Sequence, residues 1–291
     1  MKKVIPILDS CTIIDSEHGD ILVDRFKHYL EVHKNLVFPH RHSFYHFVVF
    51  TSGGGSHSID FNKYEVEPWQ IYFMSPGQIH TWNFDSDVDG YIVNFEADFF
   101  QSFLLKPDYL EGFSFFAGAD HANVQNLPPA VRTDVETVCK QLYAQVNEAE
   151  NKNIDFQRVL LLSLLMLVEQ QATTKQSQQF QTHNMVVLRN FQKLVEAHYL
   201  HKRMPKDYAE MLFITPNHLN AICKELIGAQ AGEVIRERIL LEAKRLLVSG
   251  EVNISQIANE LNFNDNSYFT KFFKKYTGLT PEQFKKEYTG S

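Results

Sequence analysis

Residues 255–284 read SQIANELNFNDNSYFTKFFKKYTGLTPEQF, and this stretch decides the fold of the C-terminal part of the chain. Its pattern predicts a helix-turn-helix: a short helix with a small residue, Ala258, where two helices must approach each other, then a tight turn and a second helix. The Asn-Asp-Asn run at 264–266 supplies N-cap chemistry for the second helix, and Gly278 is placed to end it in a left-handed conformation.

The same unit occurs once earlier in the chain. Ala209-Glu-Met-Leu212 matches Ala258-Asn-Glu-Leu261 at an offset of 49, whereas Gly228 matches Gly278 at an offset of 50. One residue is therefore inserted in the second turn. The pair Thr215-Pro216 predicts an N-cap followed by proline at the first helical position. We interpret the two copies as an internal repeat of two helix-turn-helix units.

In both second helices the apolar side chains share one face, which leaves a polar and basic face outside. Such a face on one helix alone is typical of a solvated surface, but its repetition in two equivalent units favours contacts with base edges and phosphates. The predicted DNA-binding residues are Asn217, His218, Asn220, Ala221 and Lys224 in the first unit, and Ser267, Thr270, Lys271, Lys274 and Lys275 in the second.

The segment from Ala231 to Ser249 joins the two units and has the apolar spacing of one long helix. At 1.5 Å per residue this helix spans roughly 25 to 30 Å, and successive major-groove faces of B-DNA lie about 34 Å apart.

The net charge of the chain also differs between its N-terminal and C-terminal parts. From Gln181 onward the chain has 15 Lys and Arg against 12 Asp and Glu, a net +3, which leaves −10 for the first 180 residues.

These features resemble the DNA-binding domain of the AraC/XylS family of bacterial transcription regulators, over residues 185 to 288. The signature consists of Ser255 to Phe263, Ser267 to Gly278 and Leu279 to Phe284, with Arg238 in the connecting helix. The resemblance implies that the base-reading positions are Asn217, Asn220, Ala221, Ser267, Thr270 and Lys271.

Two departures from the family pattern limit what the resemblance implies. Where many members have arginine, this chain has Ala221 and Lys271, so strong bidentate recognition of guanine is missing and the operator sequence is not predictable. Asn262 replaces the usual glycine in the second turn, which is a mild change because asparagine tolerates a left-handed backbone.

The first half of the chain has a β pattern. From Ile21 to about Phe95, short β-rich runs are broken by turns such as Ser52-Gly-Gly-Gly55 and Ser75-Pro-Gly77, which favours an antiparallel sandwich or a small barrel able to hold one ligand. Helical spacing follows between Pro129 and Gln171. Its leucine-rich second helix, from Ile154 to Gln170, either packs on the barrel only or also forms a dimer interface.

We therefore expect an α+β fold with two domains. Residues 1–171 are predicted to form a cupin-like β-barrel with a helical pair, which binds an effector and dimerises. Residues 172–183 are polar and are interpreted as a linker. Residues 184–291 are predicted to form an all-α domain of two helix-turn-helix units.

Two histidine-containing segments, Pro39 to His46 and Pro76 to His80, resemble the cupin-like motifs of the family's arabinose-type sensor domains. The residues His40, His42, His46 and His80 have the spacing of metal-binding cupins, with His46 where those proteins usually have glutamate. Imidazole suits zinc, iron, copper and nickel. Sensor domains of this family commonly keep part of the pattern without metal or catalysis, so we expect no metal ligand and no cofactor; the alternative is a metal-dependent cupin enzyme with an accessory DNA-binding domain.

A small organic effector is the expected occupant of the barrel, because aromatic walls with a few polar groups are typical of ligand sites. For each candidate side chain, the competing interpretation is ordinary packing of a strand residue in the core. Carbohydrates, aromatic acids and fatty acids all remain open as ligands. The predicted effector-binding residues are His40, His42, His46, Tyr72, His80 and Trp82.

Composition places the chain among ordinary globular proteins of a reducing compartment. Its three cysteines, Cys11, Cys139 and Cys223, are too scattered for a disulfide framework or a cysteine-based zinc site. The apolar stretch at the N-terminus stops at Asp9, and the run from Val159 to Val168 is too short to cross a bilayer. We expect a cytoplasmic regulator rather than an enzyme, without membrane association. The expected partners are double-stranded promoter DNA, a small-molecule effector and a second copy of the chain, with RNA polymerase as a further candidate.

Overall fold

The computed structural model describes residues 7–8, 21–33, 39–100, 103–104, 109–116, 123–175, 183–250 and 252–289. These residues divide into two compact units, one up to Lys175 and one from His183 onward. The first unit combines β-sheets with helices and the second is helical, so the expected α+β class is confirmed.

The strands of the first unit form two sheets, in the orders β1-β3-β8-β5-β6 and β10-β7-β4-β9-β2. All neighbouring strands are antiparallel except β1 and β3. The strands are β1 (Ile7–Leu8), β2 (Ile21–Arg25), β3 (His40–His42), β4 (Tyr45–Ser52), β5 (Gly55–Ile59), β6 (Asn62–Glu65), β7 (Gln70–Met74), β8 (Ile79–Phe84), β9 (Asp89–Phe95) and β10 (Val124–Asn126).

Strand β4 lies at the centre of the second sheet, and both of its faces are buried. Its side chains alternate between the faces. Phe47 and Val49 belong to a core shared with the helices, whereas Val48 and Phe50 belong to a core shared with the other sheet. The helices of this unit are α1 (Phe26–Val32), α2 (Pro129–Asn147) and α3 (Ile154–Lys175).

Two features of this unit differ from the sequence-based expectation. Helix α1 lies within a region that we expected to be β throughout, because its buried Phe26 and Tyr29 are equally typical of strands. Helix α3 continues to Lys175, four residues into the predicted linker. The segment 172–175 is polar but contains neither glycine nor proline, so nothing in it stops a helix. Residues 176–182 lie outside the described residues.

The second unit shows the repeat that the sequence predicts. Helices α5 and α8 have seven residues each and begin 49 positions apart, while α6 and α9 have twelve each and begin 50 positions apart. The connecting helix occupies the predicted residues, and its 19 residues span about 28 Å. The helices are α4 (His183–His198), α5 (Pro205–Met211), α6 (Pro216–Ile227), α7 (Ala231–Ser249), α8 (Ile254–Glu260), α9 (Asn266–Thr277) and α10 (Pro281–Thr289).

None of the helices in the described part of the chain combines the length and the apolar character that a membrane crossing requires.

Candidate nucleic-acid interface and barrel interior

The second helix of each helix-turn-helix begins and ends with the predicted caps. Thr215 Oγ1 accepts a hydrogen bond from the His218 amide at 3.2 Å, and Asp265 Oδ1 accepts one from the Tyr268 amide at 2.7 Å. Gly228 and its counterpart Gly278 end the two helices with φ of 71° and 81°. A left-handed residue at this place favours glycine. The cap predictions are therefore confirmed.

The turn before each of these helices is also built in the same way. Ala209 and its counterpart Ala258 are buried where the two helices of a unit meet. Their carbonyl oxygens accept hydrogen bonds from the amides of Ile214 at 3.0 Å and Phe263 at 2.8 Å. The two units therefore share their helix caps, the buried alanine between their helices and the hydrogen bond of the turn. For this reason α6 and α9 present equivalent faces in their two units.

Eight of the ten predicted DNA-binding side chains are exposed, and Asn220 and Thr270 are half-buried. Asn220 has a further role inside the unit, because its Oδ1 accepts a hydrogen bond from the Ala231 amide at the start of α7, at 3.0 Å. This bond orients the side chain and leaves its NH₂ group available to donate to a partner. The exposed residues are Asn217, His218, Ala221, Lys224, Ser267, Lys271, Lys274 and Lys275.

A surface groove runs beside α9 and brings together residues that are distant in sequence. Three of the predicted DNA-binding residues line this groove, and polar side chains from α8 and its N-cap line it as well. The side-chain Nδ2 of Asn266 donates a hydrogen bond to Ser255 Oγ across this groove. The sequence prediction missed the α8 side because it considered only the second helix of each unit. The groove is lined by Asn253, Ser255, Asn266, Ser267, Thr270 and Lys271, together with Ile254 and Glu282.

Arg203 fixes the turn of the second unit from the loop before α5. Its guanidinium donates hydrogen bonds to the carbonyl oxygens of Leu261 and Asn262, the latter at 2.9 Å. The same group lies 4.1 Å from the centre of the Phe263 ring. Carbonyl groups at the end of α8 are thereby satisfied by a cation, which is favourable at a helix C-terminus.

All six predicted effector-binding residues lie in the interior between the two sheets, and none has more than 3% of its surface exposed. Antiparallel pairing places His40 opposite His80 on neighbouring strands. The Trp82 ring lies 4.7 Å from that of His80 and 6.0 Å from that of His46. Tyr72 joins the same core. The structure therefore brings the six together, but it buries them, so a ligand reaches them only when this packing opens.

Several polar nitrogen atoms in this interior have no hydrogen-bond partner among the described residues. They include His42 Nδ1, His46 Nε2 and Trp82 Nε1. Burial, reinforced by the charges of neighbouring histidines, lowers the pKa of His42 and His80 well below the usual value. Burial also lowers the pKa of His46 to about 3, although its hydrogen bond to Asn94 acts in the opposite direction. These rings are therefore neutral at physiological pH.

Two family models match this arrangement. Residues 25–168 match the AraC-like ligand binding domain, and residues 208–287 match a helix-turn-helix domain. The chain belongs to the AraC family of transcription regulators. An uncharacterized HTH-type regulator of this kind in Bacillus subtilis, YdeC, is 22% identical over 251 residues, which is 85% of each chain.

Other similarities of this AraC-family chain are more limited. The transcriptional regulatory protein YesN of Bacillus subtilis is 38% identical over 84 residues, which are 28% of this chain. The chain thus spans only 23% of the length of that relative. The structure of ToxT from Vibrio cholerae is 17% identical, covers 92% of this chain and 98% of its own, and has a TM-score of 0.46. The family models and the relatives named here are regulators and not enzymes.

Sequence reasoning missed two members of the barrel interior of this AraC-family regulator, His57 and Asn94. His57 Nε2 lies 3.1 Å from His80 Nδ1, and Asn94 Oδ1 lies 2.7 Å from His46 Nδ1. His57 could have been predicted from the alternation of side chains along a strand. Residues 57 and 59 share one face of β5 and pair with residues 82 and 80 of β8. No comparable signal marks Asn94, because its pairing with His46 requires knowledge of the β4–β9 register.

Proposed function

We propose that this regulator binds promoter DNA by placing the first halves of α6 and α9 in two neighbouring major grooves. The observation that carries the proposal is the repetition of one exposed, polar and capped helix face in two units, joined by a helix of about 28 Å. A helix N-terminus also offers free amide groups to a phosphate. Lys224, Lys274 and Lys275 lie further along the exposed faces, where they are suited to phosphate contacts.

The residues proposed for base recognition are those nearest to the helix starts. Asn217, His218 and Ala221 are exposed on α6, and Ser267 and Lys271 are exposed on α9. Asn220 and Thr270 complete the set from half-buried positions. The groove beside α9 supports this assignment for Ser267, Thr270 and Lys271. Base-edge contacts then come from short polar side chains and one lysine.

The interior of the barrel is proposed to bind the small-molecule effector. Buried polar atoms almost always have partners in folded proteins, so the orphaned nitrogens of His46 and Trp82 support a polar ligand at this place. The effector must favour one arrangement of the regulator over another, because equal affinity for both shifts no equilibrium. We further propose that the regulator is cytoplasmic, acts as a homodimer and contacts RNA polymerase when bound at a promoter.

The proposed function is tested by incubating the purified full-length chain with genomic DNA fragments and sequencing those that it retains. We expect a recurrent motif with two elements about one helical turn, roughly 10 base pairs, apart. The genes next to the enriched fragments then suggest candidate effectors. Retention of fragments without any common motif contradicts sequence-specific binding.

Lys271 provides a test at a single side chain. We predict that Lys271→Ala weakens binding to the selected motif by roughly 1 to 3 kcal/mol, because a base contact is lost. Random DNA of the same length should be bound with a smaller loss. Lys152→Ala, which removes the same charge from an exposed position in the other unit, is the matched control and should bind as the parent does. An equal loss on both DNA types shows that Lys271 contacts only phosphate.

A further inference from the structure

We propose that Arg203 locks the two helix-turn-helix elements in one relative orientation, and so restricts the regulator to DNA whose two recognised elements have one spacing. The residue lies two positions before α5, the first helix of the first helix-turn-helix, whereas its side chain contacts the turn of the second. This inference rests on the proposed function, because it concerns how α6 and α9 are oriented on DNA. It assigns their orientation to a residue that lies on neither helix.

The guanidinium of Arg203 makes several contacts with the second turn. Its Nη2 donates hydrogen bonds to the carbonyl oxygens of Leu261 and Asn262, the second at 2.9 Å. The group also lies 4.1 Å from the centre of the Phe263 ring. In return, Asn262 Nδ2 donates a hydrogen bond to the Leu200 carbonyl oxygen at 3.3 Å. A planar group that both donates and stacks defines the position of this turn more narrowly than an ammonium group would.

The loop that carries Arg203 is itself fixed to the first helix-turn-helix. The Tyr208 hydroxyl on α5 donates a hydrogen bond to the carbonyl oxygen of Lys202 at 2.7 Å. Tyr208 is buried, and its ring meets that of Phe191 on α4 edge to face, with the centres 5.5 Å apart. The Lys202 amide donates to the carbonyl oxygen of His198 at the end of α4, at 2.9 Å. The Arg203 backbone therefore follows the position of α4 and α5.

The turn that Arg203 contacts is fixed in the same way to α9. The Phe263 amide donates a hydrogen bond to the Ala258 carbonyl oxygen at 2.8 Å. The buried Phe263 ring lies 5.1 Å from the ring of Phe269 and 5.1 Å from that of Phe272, both on α9. A movement of Phe263 relative to Arg203 therefore moves α9 relative to α5 and α6.

The covalent link between the two elements does not by itself fix their orientation. Residues 250–253 join α7 to α8, and Gly250 among them has a φ of 73°. A short link that contains glycine permits rotation. The Arg236 guanidinium on α7 lies 4.4 Å from the centre of the Tyr276 ring on α9, which positions α9 relative to the connecting helix. Arg203 adds a direct contact with the first helix-turn-helix, so α9 is held from two sides.

A fixed orientation restricts the DNA sites that both recognition helices can engage together. One additional base pair between the two elements displaces the second by about 3.4 Å and rotates it by about 35°. A rigid pair then loses the contacts of one helix, and even a single mismatched base pair lowers affinity on the order of fivefold or more. A flexible pair tolerates both spacings, but it binds the best one more weakly because it is less preorganised.

The DNA experiment compares the selected motif with versions in which one base pair is inserted or removed between its two elements. We expect the unaltered full-length chain to bind the altered spacings at least about tenfold more weakly. In Arg203→Met this ratio should fall to about threefold or less, with weaker binding to the original spacing. Arg189→Met, which removes the same charge from α4, is the matched control and should keep the ratio, because a lost attraction to phosphate acts on all spacings alike. An unchanged ratio in Arg203→Met overturns the proposal.

A measurement without DNA separates this inference from the proposed function. Nitroxide labels at Lys224→Cys and Lys274→Cys occupy equivalent exposed positions of α6 and α9. Double electron-electron resonance then gives the distribution of distances between the two recognition helices. The three native cysteines are replaced by alanine in this background. An excess of unlabelled full-length chain is added, so that the signal comes from pairs of labels within one chain.

We expect one narrow distance distribution with Arg203 in place and a distinctly broader one in Arg203→Met. Arg203→Lys, which keeps the charge without the planar group, and Asn262→Gly, which removes the bond to Leu200, should give intermediate widths. An equally narrow distribution in Arg203→Met overturns the proposal, even where the chain selects a DNA motif. Where Arg203→Met does not fold, unchanged widths in the other two variants overturn it. Broadening in a chain that selects no motif contradicts the proposed function alone and leaves the locking role of Arg203 supported.

Discussion

Arg238 shows how a single side chain holds the connecting helix in place. Its Nε lies 2.9 and 2.7 Å from the two carboxylate oxygens of Glu196 on α4, and its Nη1 lies 3.0 Å from Glu242. The guanidinium also lies 4.1 Å from the centre of the Tyr199 ring. Burial lowers the pKa of Arg238, but the two carboxylates more than offset this and leave it raised. The charged form is therefore strongly favoured in the folded unit.

We predict that Arg238→Lys lowers the free energy of unfolding of the helical unit by roughly 1 to 3 kcal/mol, because an ammonium group replaces neither the planar fork nor the stacking. Both tryptophans belong to the sheet-containing unit, so urea unfolding followed by ellipticity at 222 nm and by tryptophan fluorescence separates the two units. Arg236→Lys, two residues earlier on α7, is the control: its guanidinium also lies over a ring, 4.4 Å from the centre of Tyr276, but its carboxylate partner Glu233 is 3.8 Å away, so this change loses stacking without a close ion pair and should cost less. Equal effects of the two changes would show that the Glu196 contact contributes little.

The turns of the two helix-turn-helix elements share a strained position. Phe213 and its counterpart Asn262 both have a φ of 56°. Asparagine adopts this conformation readily, but a bulky residue does not. Asn262 also donates a hydrogen bond from Nδ2 to the Leu200 carbonyl at 3.3 Å, whereas Phe213 is 96% exposed. The first turn therefore has backbone strain that its side chain does not offset by packing.

Phe213→Gly is predicted to raise the free energy of unfolding of the helical unit by about 1 kcal/mol, because glycine removes the strain and almost no buried contact is lost. The gain is limited by the larger conformational entropy of glycine in the unfolded chain. Asn262→Gly is the matched change, and it should bring no gain because it removes the bond to Leu200. Urea unfolding followed at 222 nm measures both. Destabilisation by Phe213→Gly would contradict the strain argument.

A helix or strand could be predicted from the sequence where neighbouring residues specify it, and could not where contacts between distant residues do. The helices of the second unit follow from local signals: Thr215 and Asp265 as caps, Gly228 and Gly278 as ends, and a repeat that checks one unit against the other. Helix α1 was missed because its determinants are tertiary contacts of two aromatic residues. The same holds for the barrel interior. The resemblance to cupin-like motifs identified four of its histidines, but the contribution of Asn94 depends on strand register, which no local pattern records.

At the scale of the whole molecule, the second sheet separates two cores with different chemistry. The core on its helix side is apolar and includes Phe73, Phe95 and the leucines of α3. The interior on its other side mixes aromatic rings with histidines. Strand β4 contributes to both cores in alternation, so the interior proposed to bind the effector and the core that contacts α2 and α3 share one strand.

Helix α3 has an exposed apolar stripe on the side that does not contact this core. Phe156, Val159 and Met166 are 41 to 47% exposed and lie on one helix face. A contiguous apolar patch of this kind is typical of a protein interface. The stripe supports self-association as the proposed role of α3, in addition to its packing on the sheet.

We predict that Val159→Lys converts the proposed homodimer into a monomer, because a two-fold interface brings the same stripe from both copies together and the change places two charges in it. Gln141→Lys, at an exposed position of α2, introduces the same charge and should leave the dimer intact. Sedimentation velocity over a range of protein concentrations measures the difference. Binding to a single copy of the two-element motif should be retained by Val159→Lys, while affinity for DNA with two copies of the motif falls, because two linked chains bind with a higher effective concentration than one. A Val159→Lys chain that still sediments as a dimer would place the interface elsewhere.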